Sequence, residues 1–206
     1  MIKPPEEGRI WEWRAFGRVS DSLAARVRAY PIRLGISDLR GEDIYLVAPN
    51  NDQNVKLRRY SSGWVLKFKF LFETKPGPFE HYDESAEFTY RFPVPQATLK
   101  DAARLLGVTL PEAVFQTASF DEERFVNALV ESSPAITQTR VSKKRSQYQF
   151  EGGWLELADV EFARQRVESV SIHSPQLRVV KEALKRLQPD DEMEAMNYIE
   201  ACRRWG

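Results

Sequence analysis

The chain has 206 residues, 42% of them hydrophobic and 12% aromatic, and its 30 basic and 30 acidic side chains cancel. Such a composition is globular, with length enough for one large core or two small ones. Zero net charge excludes a bulk electrostatic case for nucleic acid or an anionic membrane, so any charge argument is local.

Met1 to Gly8 reads as a loose polar leader with Pro4-Pro5. Arg9 to Gly17 reads as a strand, with Ile10, Glu12, Arg14 and Phe16 on one face and Trp11 and Trp13 on the other. Ser20 to Tyr30 reads as a short helix capped by Ser20 or Asp21. Asp43 to Ala48 is a strand, and Pro49 to Asp52 a turn. Asn54 to Phe72 reads as a hairpin closed at Ser61-Ser62-Gly63. Lys56 and Arg58 share a face of its first strand. In its second, Lys67 and Lys69 oppose an apolar row of Trp64, Leu66, Phe68, Phe70 and Phe72. Pro76 to Pro78 is a loop, and His81 falls in the loop region. Ala86 to Phe92 is a strand with Glu87, Thr89 and Arg91 on one face.

The period then changes. Leu99 to Leu106 and Asp121 to Ser132 have helical spacing, the first with Gly107 at its C-terminal cap. Thr139 to Phe150, Trp154 to Phe162 and Arg166 to His173 return to strands, with Lys143 and Arg145 on one face. Gln176 to Leu187 and Glu192 to Trp205 close the chain as helices, the latter with Asp191 as its cap. No repeat or linker divides the sequence, so residues 1–206 are expected to form one domain. The single Cys202 excludes an intrachain disulfide and suits a reducing compartment; it reads as a small helix residue. No secretory segment and no long apolar run is present, and the expectation is a soluble, cytoplasmic protein.

This many strands with one apolar and one polar face predicts an α+β fold. It would be an antiparallel, tunnel-like β-barrel with helices packed outside and a charged lumen. The lumen would gather Arg14, Lys56, Arg58, Lys67, Lys69, Arg91, Lys143 and Arg145, against Glu12, Glu87 and Asp159. Enclosed positive charge in such excess calls for an anion, and a polyphosphate offers closely spaced oxygens to Arg and Lys. Separate, solvated basic faces are the alternative, as is internal pairing with Glu156, Asp159 and Glu161.

Glu12-Trp13-Arg14, DIYLV, NVKLR, VLKFK, AEFTYRF, VSKKR, LELADVEF and NYIEA follow in the order of the CYTH family, which this chain resembles over nearly its whole length. Members of that family, the triphosphate tunnel enzymes, have an eight-stranded tunnel. They grip a triphosphate with inward Lys and Arg and hold a divalent metal with inward Glu and Asp. Some hydrolyse triphosphates and others make cyclic AMP. The resemblance therefore implies binding of a triphosphate-bearing or other polyanionic ligand, nucleic acid entering only through a 5′-triphosphate end. It implies Mg²⁺ or Mn²⁺ held by Glu12, Glu87 and Asp159. A non-catalytic interaction or nucleotide-sensing domain is the alternative.

The sequence departs from the family mainly in its acidic residues. The opening Glu-x-Glu-x-Lys is similar to Ile10-x-Glu12-x-Arg14. The central Glu-x-Glu is similar to Glu87-x-Thr89, and the late one falls on Ser171-x-His173 unless Glu168 or Asp159 substitutes from another register. The basic pairs are retained while the metal cage is depleted, so hydrolysis is expected to be weak or absent. No catalytic residue is assigned. His173, a candidate base or ligand, equally suits a polar strand end.

Overall fold

A computed structural model describes residues 8–33, 39–83, 88–163 and 165–206. Most of the leader and Glu87 lie outside the described residues. The elements are β1 (Arg9–Gly17), α1 (Asp21–Arg28), β2 (Leu39–Ala48), β3 (Asn51–Tyr60), β4 (Gly63–Lys75), β5 (Phe79–Asp83), β6 (Thr89–Arg91), β7 (Val94–Pro95), α2 (Gln96–Leu106), β8 (Ser119–Phe120), α3 (Glu122–Ser132), β9 (Thr137–Phe150), β10 (Gly153–Glu161), β11 (Arg166–Ser174), α4 (Leu177–Leu187), β12 (Glu194–Ala195) and α5 (Tyr198–Trp205).

Eight strands run β11-β10-β9-β2-β3-β4-β5-β1, and β1 pairs back onto β11, so the antiparallel sheet closes. Closure leaves no edge among these eight, which is how a long sheet with one polar face avoids edge pairing. The expected α+β barrel with helices packed outside is the observed fold.

Two large stretches of the outer face are apolar and covered. Leu46, Leu57, Leu66 and Phe68 from β2, β3 and β4 pack beneath Leu99 and Leu106 of α2 and Phe125 and Leu129 of α3. Phe70, Phe88 and Tyr90 lie against the same core. Trp11, Trp13, Leu155, Val170 and Ile172 pack under Leu23 and Val27 of α1 and Val180 and Leu187 of α4. Local chemistry sets the helix ends. The Ser20 and Asp121 side chains accept backbone N–H bonds at the starts of α1 and α3. Gly107 ends α2 in the left-handed region, φ 72°, where a side chain would be strained.

Two expectations are corrected. The segment around His81, expected as loop, is β5. It fills the gap between β4 and β1, registering Glu12 with Glu80 and Phe70 with Asp83, while His81 stacks on Trp11 at 4.4 Å. The last helix does not start at Glu192. Glu194–Ala195 instead pair with Ala15 and Phe16, and a reciprocal capping box between Asn197 and Glu200 starts α5 at Tyr198. This helix closes one end of the barrel: Tyr198, Ile199, Ala201 and Cys202 meet the inward-facing Phe16, Tyr45, Val47, Val141, Ala158 and Val160. Among the described residues no helix is long and apolar enough to cross a membrane.

Candidate functional site: a basic tunnel

Strand alternation delivers the site. Residues two apart on a strand share a face, so Glu12 and Arg14 (β1), Lys56 and Arg58 (β3), Lys67 and Lys69 (β4), and Lys143 and Arg145 (β9) all enter the lumen. They line one cavity of about 140 Å³, together with Asn54, Gln147, Trp154, Glu156, His173 and Tyr198. Seven of the eight cations expected there therefore converge, Lys67 included.

Arg91 does not join them. β6 pairs with the first half of β4, on the edge whose second half belongs to β5, and Arg91 is exposed outside the cavity. Asp159 is also misplaced by the sequence reading. On β10 the inward positions are Glu156, Ala158 and Val160, so Asp159 faces outward and is exposed. It lines an open groove of about 1130 Å³ on the barrel's outer side, with Arg40, Glu42, Lys144 and Arg166. Among the described residues, six cations and four carboxylates mix in that open groove, a smaller excess than the seven cations against two carboxylates that line the tunnel. Glu168 likewise points outward and accepts the Val19 N–H at 2.8 Å.

Three inward carboxylates organise the cations. Asp43, 1% exposed, was missed in the sequence although it precedes Tyr45 on the same face of β2. Arg58 grips it with two bonds, Nε to Oδ1 at 2.7 Å and a terminal nitrogen to Oδ2 at 2.9 Å. Lys143 Nζ donates to Oδ2 at 2.9 Å, and Lys56 Nζ stands 3.7 Å away. Lys143 also donates to the Tyr45 hydroxyl at 2.6 Å. Glu12 takes Arg14 Nε on Oε1 and Lys69 Nζ on Oε2, both at 2.7 Å. Glu156 accepts from Gln147 at 2.9 Å and lies 3.4 Å from both Arg14 and Arg145.

Burial alone would raise these carboxyls, but the cations outweigh it. Lys143, Lys56 and Arg58 hold Asp43 well below the usual carboxylate range. Lys69 and Arg14 do the same for Glu12, and Arg14 and Arg145 bring Glu156 down to about 2. The lysines show the reverse strain. Burial, with Arg58 and Arg14 nearby, pushes Lys143 down to about 8 despite Asp43. Burial and the neighbouring Arg58, Lys143 and Lys69 lower Lys56 well below its ordinary value. Seven inward cations face Glu12, Asp43 and Glu156, so an excess of positive charge survives the internal pairing.

A fourth buried carboxyl, Glu80, was also missed. Its oxygens accept from Asn197 at 2.6 Å and from the Tyr82 hydroxyl at 2.8 Å. Burial pushes it up to about 7, and Glu12 beside it adds to the rise. Glu80 is thus the carboxylate on the strand beside β1, registered with Glu12. On β11, Ser171 and His173 do face inward. His173 hydrogen-bonds Ser171 at 2.8 Å, stacks on Trp154 at 4.9 Å, and its Nδ1 is 3.7 Å from Glu12. Burial pushes the Cys202 thiol up to about 12, which suits the structural role expected of it.

Two of the three carboxylates that the resemblance assigns to a metal do not fit that role: Glu12 has both oxygens engaged by cations and Asp159 faces away, while Glu87 lies outside the described residues. Among the described residues, no group of three or more His, Cys, Asp or Glu side chains is arranged to hold a metal ion.

No family model and no curated protein matches the sequence. Solved structures do match the fold. A Bacillus halodurans protein described as a candidate adenylate cyclase superposes with a TM-score of 0.54 at 13% identity, covering 94% of this chain and 98% of its own. A Hippeastrum protein, described as a candidate adenylyl cyclase with a dominant triphosphatase activity, gives 0.52 at 14% identity, covering 95% of each chain. A Pyrococcus horikoshii protein gives 0.51 at 15% identity, with 92% and 98% covered. In fold the chain is similar to these tunnel-shaped proteins, and at 13–15% identity the likeness is one of architecture.

Proposed function

We propose that the tunnel binds a triphosphate-bearing or otherwise polyanionic small molecule. The observation that carries this reading is the excess of inward cations over inward carboxylates inside a closed barrel. Buried charge of one sign is costly until an ion of the other sign joins it. Arg58 and Arg145 supply planar donors for phosphate oxygens, and Lys56, Lys67, Lys69 and Lys143 supply point charges. The fold shared with a Hippeastrum protein described as having triphosphatase activity supports the ligand class. Turnover is expected to be slow, because Glu12 and Glu156 are held by arginine and lysine and Glu80 by Asn197 and the Tyr82 hydroxyl, so none of the three is available to position an attacking water.

One set of observations favours a second reading. The pairs at Asp43, Glu12 and Glu156 resemble a self-contained structural network that needs no ligand. The two readings separate in a thermal-shift series with sulfate, pyrophosphate, tripolyphosphate and a nucleoside triphosphate. A ligand that binds only the native state raises the melting temperature by mass action, about 2.7 kcal/mol at a hundredfold excess over Kd. The binding reading expects stabilisation that grows with the number of phosphates. A flat response across the series would leave the structural network as the reading.

A further inference from the structure

We propose that the tunnel takes its polyphosphate as the free anion, with the protein's own N–H and O–H donors supplying the charge neutralisation of a divalent metal. This rests on the anion-binding reading above and adds the form in which the ligand enters. Mg²⁺ is held through hard carboxylate and phosphate oxygens, usually with several of its waters kept. Glu12, Asp43 and Glu156 are each already shared between two or more cations, and Glu80, registered beside Glu12, is taken by Asn197 and the Tyr82 hydroxyl. Arg14 and Lys69 take the two oxygens of Glu12 at 2.7 Å. Arg58 and Lys143 hold Asp43 at 2.7–2.9 Å. Arg14 and Arg145 stand 3.4 Å from Glu156. A dication brought to Glu12, Asp43 or Glu156 would meet fixed positive charge at contact range and repel it. The neighbouring inward positions on β11 offer no further carboxylate, since Ser171 registers with Arg14 and Glu156 and His173 with Glu12 and Trp154.

The cavity instead presents mainly donors; among the described residues, Asn54 Oδ1 is the one acceptor in its lining without a partner. Lys67 lines it and makes no ion pair among the described residues. The indole N–H of Trp154 and the hydroxyl of Tyr198 are buried, line the cavity and have no hydrogen-bond partner. A buried donor without an acceptor is costly, and a phosphate oxygen is the acceptor it lacks. The faces of the Trp154 ring are taken by His173 and the Arg33 guanidinium, which leaves the N–H as its free functional edge.

Isothermal titration of the purified chain with tripolyphosphate tests this, once in EDTA and once with Mg²⁺ in excess over ligand. Binding is expected in EDTA, and excess Mg²⁺ should weaken it about tenfold or more by mass action on the free anion. Binding that appears only with Mg²⁺ would overturn the metal-free mode and leave the anion-binding reading standing. Absence of binding in both would end both. Trp154→Phe, which keeps the ring, should weaken binding in EDTA about tenfold, the loss of one hydrogen bond to a charged acceptor. Unchanged affinity in that variant would overturn the assignment of the indole as a phosphate donor.

Discussion

Asp43→Asn tests the architecture of the tunnel most directly. The carboxylate is shared by Arg58, Lys143 and Lys56, with contacts of 2.7, 2.9 and 3.7 Å. At an effective dielectric constant of roughly 20, one unit-charge pair at about 4 Å contributes about 4 kcal/mol, and three such pairs roughly three times that before desolvation is subtracted. Desolvation of the buried ions cancels most of this sum, and removing one partner of a buried network costs about 3–5 kcal/mol. The empty protein should therefore lose about that much in a urea melt. A ligand should then recover more than it does in the wild type, because three cations have lost the anion that competed with it. A tenfold gain in affinity appears as about 1.4 kcal/mol of extra stabilisation at saturating tripolyphosphate. Paired denaturant melts, with and without tripolyphosphate, read both quantities. A loss below about 1 kcal/mol would show that Asp43 does not organise the cations. A normal loss without enhanced rescue would show that Asp43 and the ligand do not compete for them.

Other consequences follow from the same geometry. Lys143, pushed down to about 8, is half neutral at that pH; an anion restores its proton, so binding should take up on the order of half a proton near pH 8 and weaken as pH rises through 8. Titrations in buffers of different ionisation heat measure this, and heats independent of buffer would refute it. Glu80 has its folded pKa raised to about 7, so its contribution to stability is full below the unfolded value near 4.5 and is lost as pH rises through 7. The span is about 3 kcal/mol, and Glu80→Gln should flatten that part of the stability–pH curve. Tripolyphosphate hydrolysis with Mg²⁺ or Mn²⁺ should be weak or absent, and rapid turnover abolished by Glu12→Gln would show that its engaged carboxylate still serves catalysis. Phe125→Ala, in the fully buried core beneath α3, should cost about 3–5 kcal/mol while leaving anion affinity unchanged, which separates the scaffold from the site.

The sequence was most legible where alternation was strongest. On β1, β3 and β4 the inward charged residues recur at every second position opposite apolar side chains, so five of the inward cations could be read from alternation. On β9, Lys143 and Arg145 could be read only as sharing a face, with Ser142, Lys144 and Ser146 on the other. β2 defeated the same reasoning. Its inward Asp43, Tyr45 and Val47 alternate with outward Ile44, Leu46 and Ala48, and with apolar residues on both faces the lone carboxylate is inconspicuous. β5 reads as FEHYD after a Pro-Gly-Pro loop and has no propensity signal; it is a strand because the barrel needs a partner between β4 and β1. Glu80 was lost with it. Arg91 and Asp159 failed for different reasons. Arg91 shares the right face but lies beyond the cavity, whereas Asp159 lies on the wrong face by one residue, and a one-residue step in a strand reverses the direction of the side chain.

The internal pairing and the proposed ligand are complementary features of one charge arrangement. Without Asp43, Glu12 and Glu156, seven enclosed cations would oppose folding; with enough carboxylates to match them all, no anion would be drawn in. The observed set lies between, leaving an excess of about four formal charges before the partly ionised Glu80 and the lowered pKa of Lys56 and Lys143 are subtracted. On the proposed reading, that excess favours a ligand of matching valence. A terminal phosphoryl group carries about two negative charges and each inner one about one, so a triphosphate ester carries about four. Sulfate or a monophosphate would leave half or more of the excess buried and unpaired. The dependence of affinity on phosphate number therefore reports the charge balance of the barrel itself, and neutralising one inward cation, as in Lys67→Gln, should shift the preference toward ligands with one charge fewer.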